Sequence, residues 1–188
     1  MPSAPSSDAE RTLVTEPLDT TPTETMTDNR EYSEAYAADH GRFAVIPAAY
    51  VLLRRGDEVL LQLRRGTGYY DGHWAFGAAG HVEQGETLLA GAARETREEL
   101  GVQVDESDLE VLTVMHRTGA TGAAIDERID VFFQTTTWQG DTRLVEDKAA
   151  DLDWFPLDAL PDPVVPHELA VIEALRERRL TPITAFGF

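Results

Sequence analysis

The sequence predicts an α/β domain, and three observations predict it. Apolar runs of strand length recur at 43–53, 59–64, 109–117 and 125–138. Between the second and third runs lies a helix with a single apolar stripe, preceded by a glycine-bearing loop and stopped by Gly101. A second amphipathic segment opens at Pro166, a favoured first helical residue. At 188 residues the chain suits one domain with a real core.

Residues 1–42 are a different material, rich in Ser, Thr, Pro, Asp and Glu, with Leu13, Val14 and Leu18 as the only branched aliphatics. Such a composition cannot bury enough apolar surface to offset its ordering entropy. We expect an acidic, largely disordered N-terminal extension over 1–42, disordered to about Thr27. Within it, 32–38 is expected to form a short helix or docking arm, and Met26 is an alternative start. The domain proper is expected at 43–188.

In the domain, 43–53 reads as a buried strand in which Pro47 marks an edge or a bulge. Residues 54–58 form a hairpin turn and 59–64 the return strand, ending at Arg64 and Arg65. A loop with three glycines and two tyrosines, 66–73, leads into a short strand at 74–76. After the central helix, 109–117 alternates as a strand, 118–124 is a Gly/Ala/Thr turn and 125–138 is a long strand. Residues 140–150 form a polar loop carrying Glu146. A strand and a turn of helix follow at 152–161, and a helix over 167–179 has Leu169, Ile172 and Leu175 as its stripe. The tail, 181–188, is expected to pack back on the body through Phe186 and Phe188.

Composition excludes several classes. The chain has no cysteine, so there are no disulfides, no thiolate metal site and no thiol nucleophile. No segment approaches the roughly 18 apolar residues of a membrane span, and the N-terminus lacks a secretory pattern. These features are compatible with a cytoplasmic location. A formal charge of −18 argues against a nucleic-acid polymer or an anionic membrane as partner. A polyphosphate substrate must therefore bring cations or meet a local positive patch.

The segment 80–102 carries the chemistry. At about 100° per residue, Glu98 falls near −60° and Glu99 near +40° from Glu95, so three carboxylates share one face. Leu89, Ala92, Ala93, Thr96 and Leu100 form the separate apolar stripe. A solvated, salt-bridged helix is the ordinary reading of such a run. Like charges at Glu95 and Glu99 strain it by a few tenths of a kcal/mol, and Mg²⁺ held by those carboxylates relieves the conflict.

The whole stretch resembles the Nudix hydrolase signature: Gly, five residues, Glu, seven residues, Arg-Glu, an apolar and any residue, Glu-Glu, any residue, Gly, apolar. Gly80, Glu86, Arg94, Glu95, Glu98, Glu99, Gly101 and Val102 match at that spacing, while Thr96 stands where the family prefers an aliphatic. Gly68-Tyr69-Tyr70-Asp71-Gly72-His73-Trp74 is similar to a Gly-Tyr-x-Asp-Gly-x-Trp segment found before the signature in many members. The segment 154–161 resembles the Trp-Phe-x-x-x-x-Leu-Pro ending of many Nudix domains.

The resemblance covers about 43–180 and implies the Nudix α/β/α sandwich, a mixed sheet between helices with the signature as loop–helix–loop. It implies hydrolysis of the diphosphate linkage of a nucleotide by water attack on phosphorus, assisted by Mg²⁺ with Mn²⁺ as the alternative. Nucleoside triphosphates are somewhat favoured over ADP-ribose or another sugar nucleotide. By position, Glu95 and Glu99 are the expected metal ligands, joined by Glu98 and the Gly80 carbonyl. Arg94 is expected to orient Glu98, and Glu86 to support the loop or reach the metal through water. The general-base candidates are Glu98, Glu146 and then Glu127. Arg64 and Arg65 are either solvated strand-end residues or phosphate contacts, and the resemblance favours Arg64 as a contact. Tyr69 and Tyr70 are candidates for base stacking. His116 is either a structural histidine or a substrate contact. Nudix hydrolysis further implies an alkaline optimum.

Two rival classes share the fold. A non-catalytic nucleotide-binding or regulatory module has no use for three crowded carboxylates, and an isoprenoid diphosphate isomerase relies on a cysteine this chain lacks. The N-terminal arm and the aromatic tail are candidate surfaces for a homodimer.

Overall fold

In the computed structural model, which describes residues 33, 36, 44–119, 121 and 126–188, the described residues from 44 onward form eight strands and two helices. The strands are β1 (Ile46–Arg55), β2 (Glu58–Arg64), β3 (Trp74–Phe76), β4 (Ala78–His81), β5 (Glu110–Arg117), β6 (Arg128–Thr135), β7 (Ala149–Pro156) and β8 (Ile183–Phe186). The helices are α1 (Leu88–Leu100) and α2 (Pro166–Arg176), with a 3₁₀ turn at Glu106–Asp108. The expectations for the extension and Met26 lie outside the described residues, as does most of the 118–124 turn; Ser33 and Tyr36 are helical and exposed.

β1 and β2 share a ladder only at their hairpin end, Arg54 opposite Val59 and Arg55 opposite Glu58. Beyond that they splay apart. β1 runs parallel to β6 from Ile46 to Leu53 and antiparallel to β4 from Ala48 to Val51. β5 joins β6 antiparallel, and β8 joins β5 in parallel. On the other branch β2 pairs antiparallel with both β3 and β7. The gap between β1 with β4 and β2 with β3 is where the cleft opens.

Ala44–Phe188 forms one compact unit with a core on each face of the sheet. Tyr50, Leu52, Phe76 and Phe132 meet Val171 and Ile172 of α2 on one side. Val51, Leu53, Leu60 and Phe133 meet Ala92 and Leu100 of α1 on the other. This is the α/β/α sandwich, and the run 48–53 is apolar without alternation because both faces of β1 are covered.

Four sequence expectations change in detail. β4 was expected as loop: its residues are Ala and Gly, poor strand formers, and only the ladder to β1 makes them a strand. Pro47 lies in a strand paired on both sides rather than at an edge or bulge. It sits one residue outside the β4 ladder, where its carbonyl accepts from Val82 N (3.1 Å), so its missing N–H costs little. The 125–138 strand is regular only over Arg128–Thr135. The tail adds β8 to the sheet, while Phe188 stays 73% exposed.

Candidate functional site

α1 is set by its ends. Thr87 caps the N-terminus, its Oγ1 accepting from Ala90 N (3.0 Å). Gly101 closes the C-terminus in the left-handed region at φ 69°, its N–H donating to Arg97 O. Thr96 packs fully buried and returns its hydroxyl hydrogen to Ala92 O (2.7 Å), which accommodates the one unusual residue of the signature.

Arg94 is the hub of the loop–helix unit. Its Nε and Nη2 donate to the two oxygens of Glu86 (2.9 and 3.0 Å), and Nη2 also reaches the His81 carbonyl (3.0 Å). Its Nη1 donates to Glu95 Oε1 (2.7 Å) and Glu98 Oε2 (3.1 Å). Such charge-assisted forks are the strong class of hydrogen bond. Glu86 also accepts from Glu83 N (3.0 Å), and the Arg94 guanidinium holds its carboxyl below the usual range. Gly80 lies so close to Glu95 that a Cβ there would overlap the carboxylate.

Glu99 points the other way, into the protein. It is 8% exposed, and its Oε2 accepts from Gln62 Nε2 (3.1 Å) and Ala79 N (3.0 Å). Burial pushes its carboxyl up to about 7, against the two donors, with the Glu95 and Glu146 charges adding to the rise. Glu146 pairs with Lys148 Nζ (2.7 Å) in the loop before β7.

Some of these groups border a cleft of about 500 Å³. Gly80, Glu95 and Glu99 line one side, and Arg64, Arg128 and Lys148 bring positive charge to the same space. Tyr50, Gln62, Tyr69, His81 and Glu168 are also among its lining residues. Among the described residues no three acidic or imidazole side chains converge on one point, because Arg94 occupies the space between Glu86, Glu95 and Glu98. The hard oxygen donors of Glu95 and Glu99 and the Gly80 carbonyl, with two like charges facing one cleft, fit an Mg²⁺-type cation.

The other expected site residues divide. Arg64 lines the cleft, its Nε donating to Tyr69 O (2.8 Å) and Nη2 to Thr67 Oγ1 (3.0 Å). Tyr69 also lines it, and its hydroxyl accepts from Arg117 Nη1 (3.2 Å). The cleft lining does not include Glu98, Glu146, Arg65, Tyr70 or His116. Glu98 is half-exposed on Arg94. Arg65 is exposed, with its backbone N–H on Lys148 O (2.9 Å). Tyr70 meets Tyr69 edge-on at 4.7 Å. His116 pairs with Glu127 (2.8 Å) and lies against Phe188, which occupies both groups in a contact within the fold.

Sequence reasoning missed Gln62, Arg128, Lys148 and Glu168. Glu168 is 2% exposed in the first turn of α2, accepting from Phe76 N, and burial pushes its carboxyl up to about 8. The neighbouring His167 is pushed down to about 3 by burial and is neutral. The signal for Glu168 was its place two residues after Pro166 in an apolar helix start. Because its folded value lies above the unfolded 4.5, Glu168 contributes stability fully present below about 4.5 and lost as pH rises through about 8. Glu168→Gln removes that loss, and the variant is expected to exceed the parent at about pH 9 by on the order of 1–3 kcal/mol. Urea unfolding at about pH 5 and about pH 9 checks this; parallel pH dependences for the two proteins would contradict it.

Comparison with known proteins agrees with this architecture. The family model described as NUDIX domain matches residues 45–175. The chain is 36% identical over 115 residues to the NAD-capped RNA hydrolase NudC of Pseudomonas aeruginosa, covering 61% of this chain and 37% of that one. It is 33% identical over 126 residues to the NudC of Chromobacterium violaceum, covering 67% and 43%. It thus spans less than half the length of these curated relatives. Among solved structures, a MutT NUDIX hydrolase from Burkholderia pseudomallei superposes with TM-score 0.63 at 24% identity, covering 69% of this chain and 97% of that one. The NUDIX domain of Shewanella oneidensis NrtR, complexed with ADP ribose, superposes with TM-score 0.58 at 19% identity, covering 77% and 97%. With the family model spanning most of the domain and the signature helix built around Arg94, the chain belongs to the Nudix hydrolase family.

Proposed function

We propose that this domain hydrolyses the diphosphate linkage of a nucleoside diphosphate joined to another moiety, or of a nucleoside triphosphate, with Mg²⁺ or Mn²⁺ as cofactor. The observation that carries the reading is one cleft that joins the Glu95 and Glu99 carboxylates to Arg64, Arg128 and Lys148. A diphosphate needs both parts: anionic oxygens to hold a divalent cation and guanidinium forks for its own oxygens. A bound divalent ion supplies charge neutralisation and lowers the pKa of water.

The chain's own residues do the rest. Arg94 holds Glu95 and Glu86 in place, and Gly80 leaves room for the Glu95 carboxylate. Arg64 stands braced by the loop backbone to meet phosphate oxygens. Proton acceptance from water falls to Glu146, which pairs with the cleft-lining Lys148 although it does not itself line the cleft, ahead of Glu98, which Arg94 holds half-exposed. Glu146→Gln is expected to lower kcat by about 10²-fold and Glu98→Gln by about tenfold. Steady-state rates across pH check this, with the acid limb of the profile vanishing only in the variant that has lost the base.

The substrate class draws support from the relatives, whose names describe hydrolysis of NAD-capped RNA. The charge of −18 opposes an RNA body, which favours the small nucleotide. Incubation with Mg²⁺ and NADH, ADP-ribose or dGTP, with products identified by ³¹P NMR, tests the reading. Mononucleotide release is expected from at least one. Tight binding with no cleavage of any would make the domain a binding module.

A further inference from the structure

Lys148 is a cation placed among the acids of the cleft, and nothing in the signature calls for it. Its position is built. β2 and β7 pair regularly until the register shifts between Leu63 and Arg64, where Arg64 comes opposite Ala149. Bulges of this kind re-aim side chains at the ends of a ladder. Here the shift brings Arg64 and Lys148 to line the same cleft. The Lys148 carbonyl is fixed by Arg65 N (2.9 Å), so the backbone is anchored while the side chain is 63% exposed.

The ammonium lies 2.7 Å from Glu146 Oε2. The pull of Glu146 raises its pKa, and Glu99 and Glu95 add to the rise, so Lys148 stands in the field of all three carboxylates. Glu95 already has Arg94 on its other side, and among the described residues Glu99 is bonded by the neutral donors Gln62 and Ala79. A further positive charge toward the cleft therefore offsets the repulsion between these two acids.

We propose that Lys148 is a two-position cation. In one position it lies on Glu146, where its charge offsets the repulsion among the acids; when a diphosphate binds, it turns to the nonbridging phosphate oxygens and leaves Glu146 uncovered. This rests on the diphosphate-hydrolase reading above. The flexible stem of lysine suits such a movement, as a planar guanidinium fork does not.

The test is Lys148→Met, which keeps length and removes charge at an exposed position. Two binding constants are read on the whole chain. Affinity for Mn²⁺ alone, followed by the EPR signal of free Mn²⁺, is expected to rise about three- to tenfold, since a competing cation is gone. Affinity for inorganic pyrophosphate in the presence of Ca²⁺ is expected to fall about tenfold, since a phosphate contact is gone. Lys148→Arg, which keeps the charge, is expected to stay within about threefold of the parent in Mn²⁺ affinity. Opposite signs for the two ligands are the signature, because a merely structural lysine would move both constants the same way or neither. Unchanged or weaker Mn²⁺ binding in Lys148→Met, or unchanged pyrophosphate binding, overturns the proposal while the hydrolase reading stands. A parent protein that binds no Mn²⁺ overturns both.

Discussion

Glu99→Gln is expected to lower turnover by at least about 10²-fold while the protein stays folded. The amide can keep its carbonyl oxygen on Ala79 N and Gln62 Nε2, so the packing around α1 survives. The negative charge does not survive, and with Glu95, which lines the same cleft, it is the charge proposed to hold a divalent cation. Removing a carboxyl that burial has already pushed up to about 7 also removes a desolvation cost. The variant is therefore expected to be as stable as the parent or more so. Losing activity and keeping stability together is the outcome that separates a functional carboxylate from a structural one. Steady-state kinetics with Mg²⁺ beside a thermal melt measures both, and near-parental turnover would remove Glu99 from the site.

Asp130→Ala is the change expected to cost most in stability, about 3–5 kcal/mol. Asp130 is fully buried on β6 and accepts from Arg117 Nε at 2.6 Å, with Arg117 itself 5% exposed on β5. Burial pushes the Asp130 carboxyl up more than Arg117 pulls it down, so the pair adds little net stability while intact. Breaking it is another matter, because a guanidinium is left inside the protein without its counter-charge. Arg117 also donates to the Tyr69 hydroxyl, so the damage reaches the loop that walls the cleft. Replacing both partners, as Arg117→Met with Asp130→Leu, is expected to recover most of the loss. Chemical unfolding of the single and double variants gives the comparison. A single variant within about 1 kcal/mol of the parent would show the pair to be better solvated than its burial implies.

How far the site could be read in advance depended on the range of each interaction. The spacing of Glu86, Arg94, Glu95 and Glu98 is a matter of helix geometry and one local loop, and Arg94 does bind all three. Periodicity also put Glu98 and Glu99 on the acidic face, and there it stopped. Which acid turns inward is decided by Gln62 on β2 and Ala79 on β4, far from the helix in sequence. His116 carried two readings because its partner Glu127 lies across the β5–β6 connection. Glu168 drew no reading in advance, and its bond from Phe76 N, 92 residues away in sequence, makes it a buried acid.

By itself the sequence determined the α/β class, the glycine stop of the signature helix at Gly101, the continuous burial of β1 and the family. All of these rest on contacts within a few turns of helix or on the period of one strand, so they are written locally. The tertiary structure alone decided that β4 and β8 are strands, that Glu99 and Glu168 are buried, and that Lys148 and Arg128 face the same cleft as the acids. Those outcomes depend on which distant backbone groups and charges come within hydrogen-bonding or Coulombic range once the sheet has closed, and no local pattern encodes them.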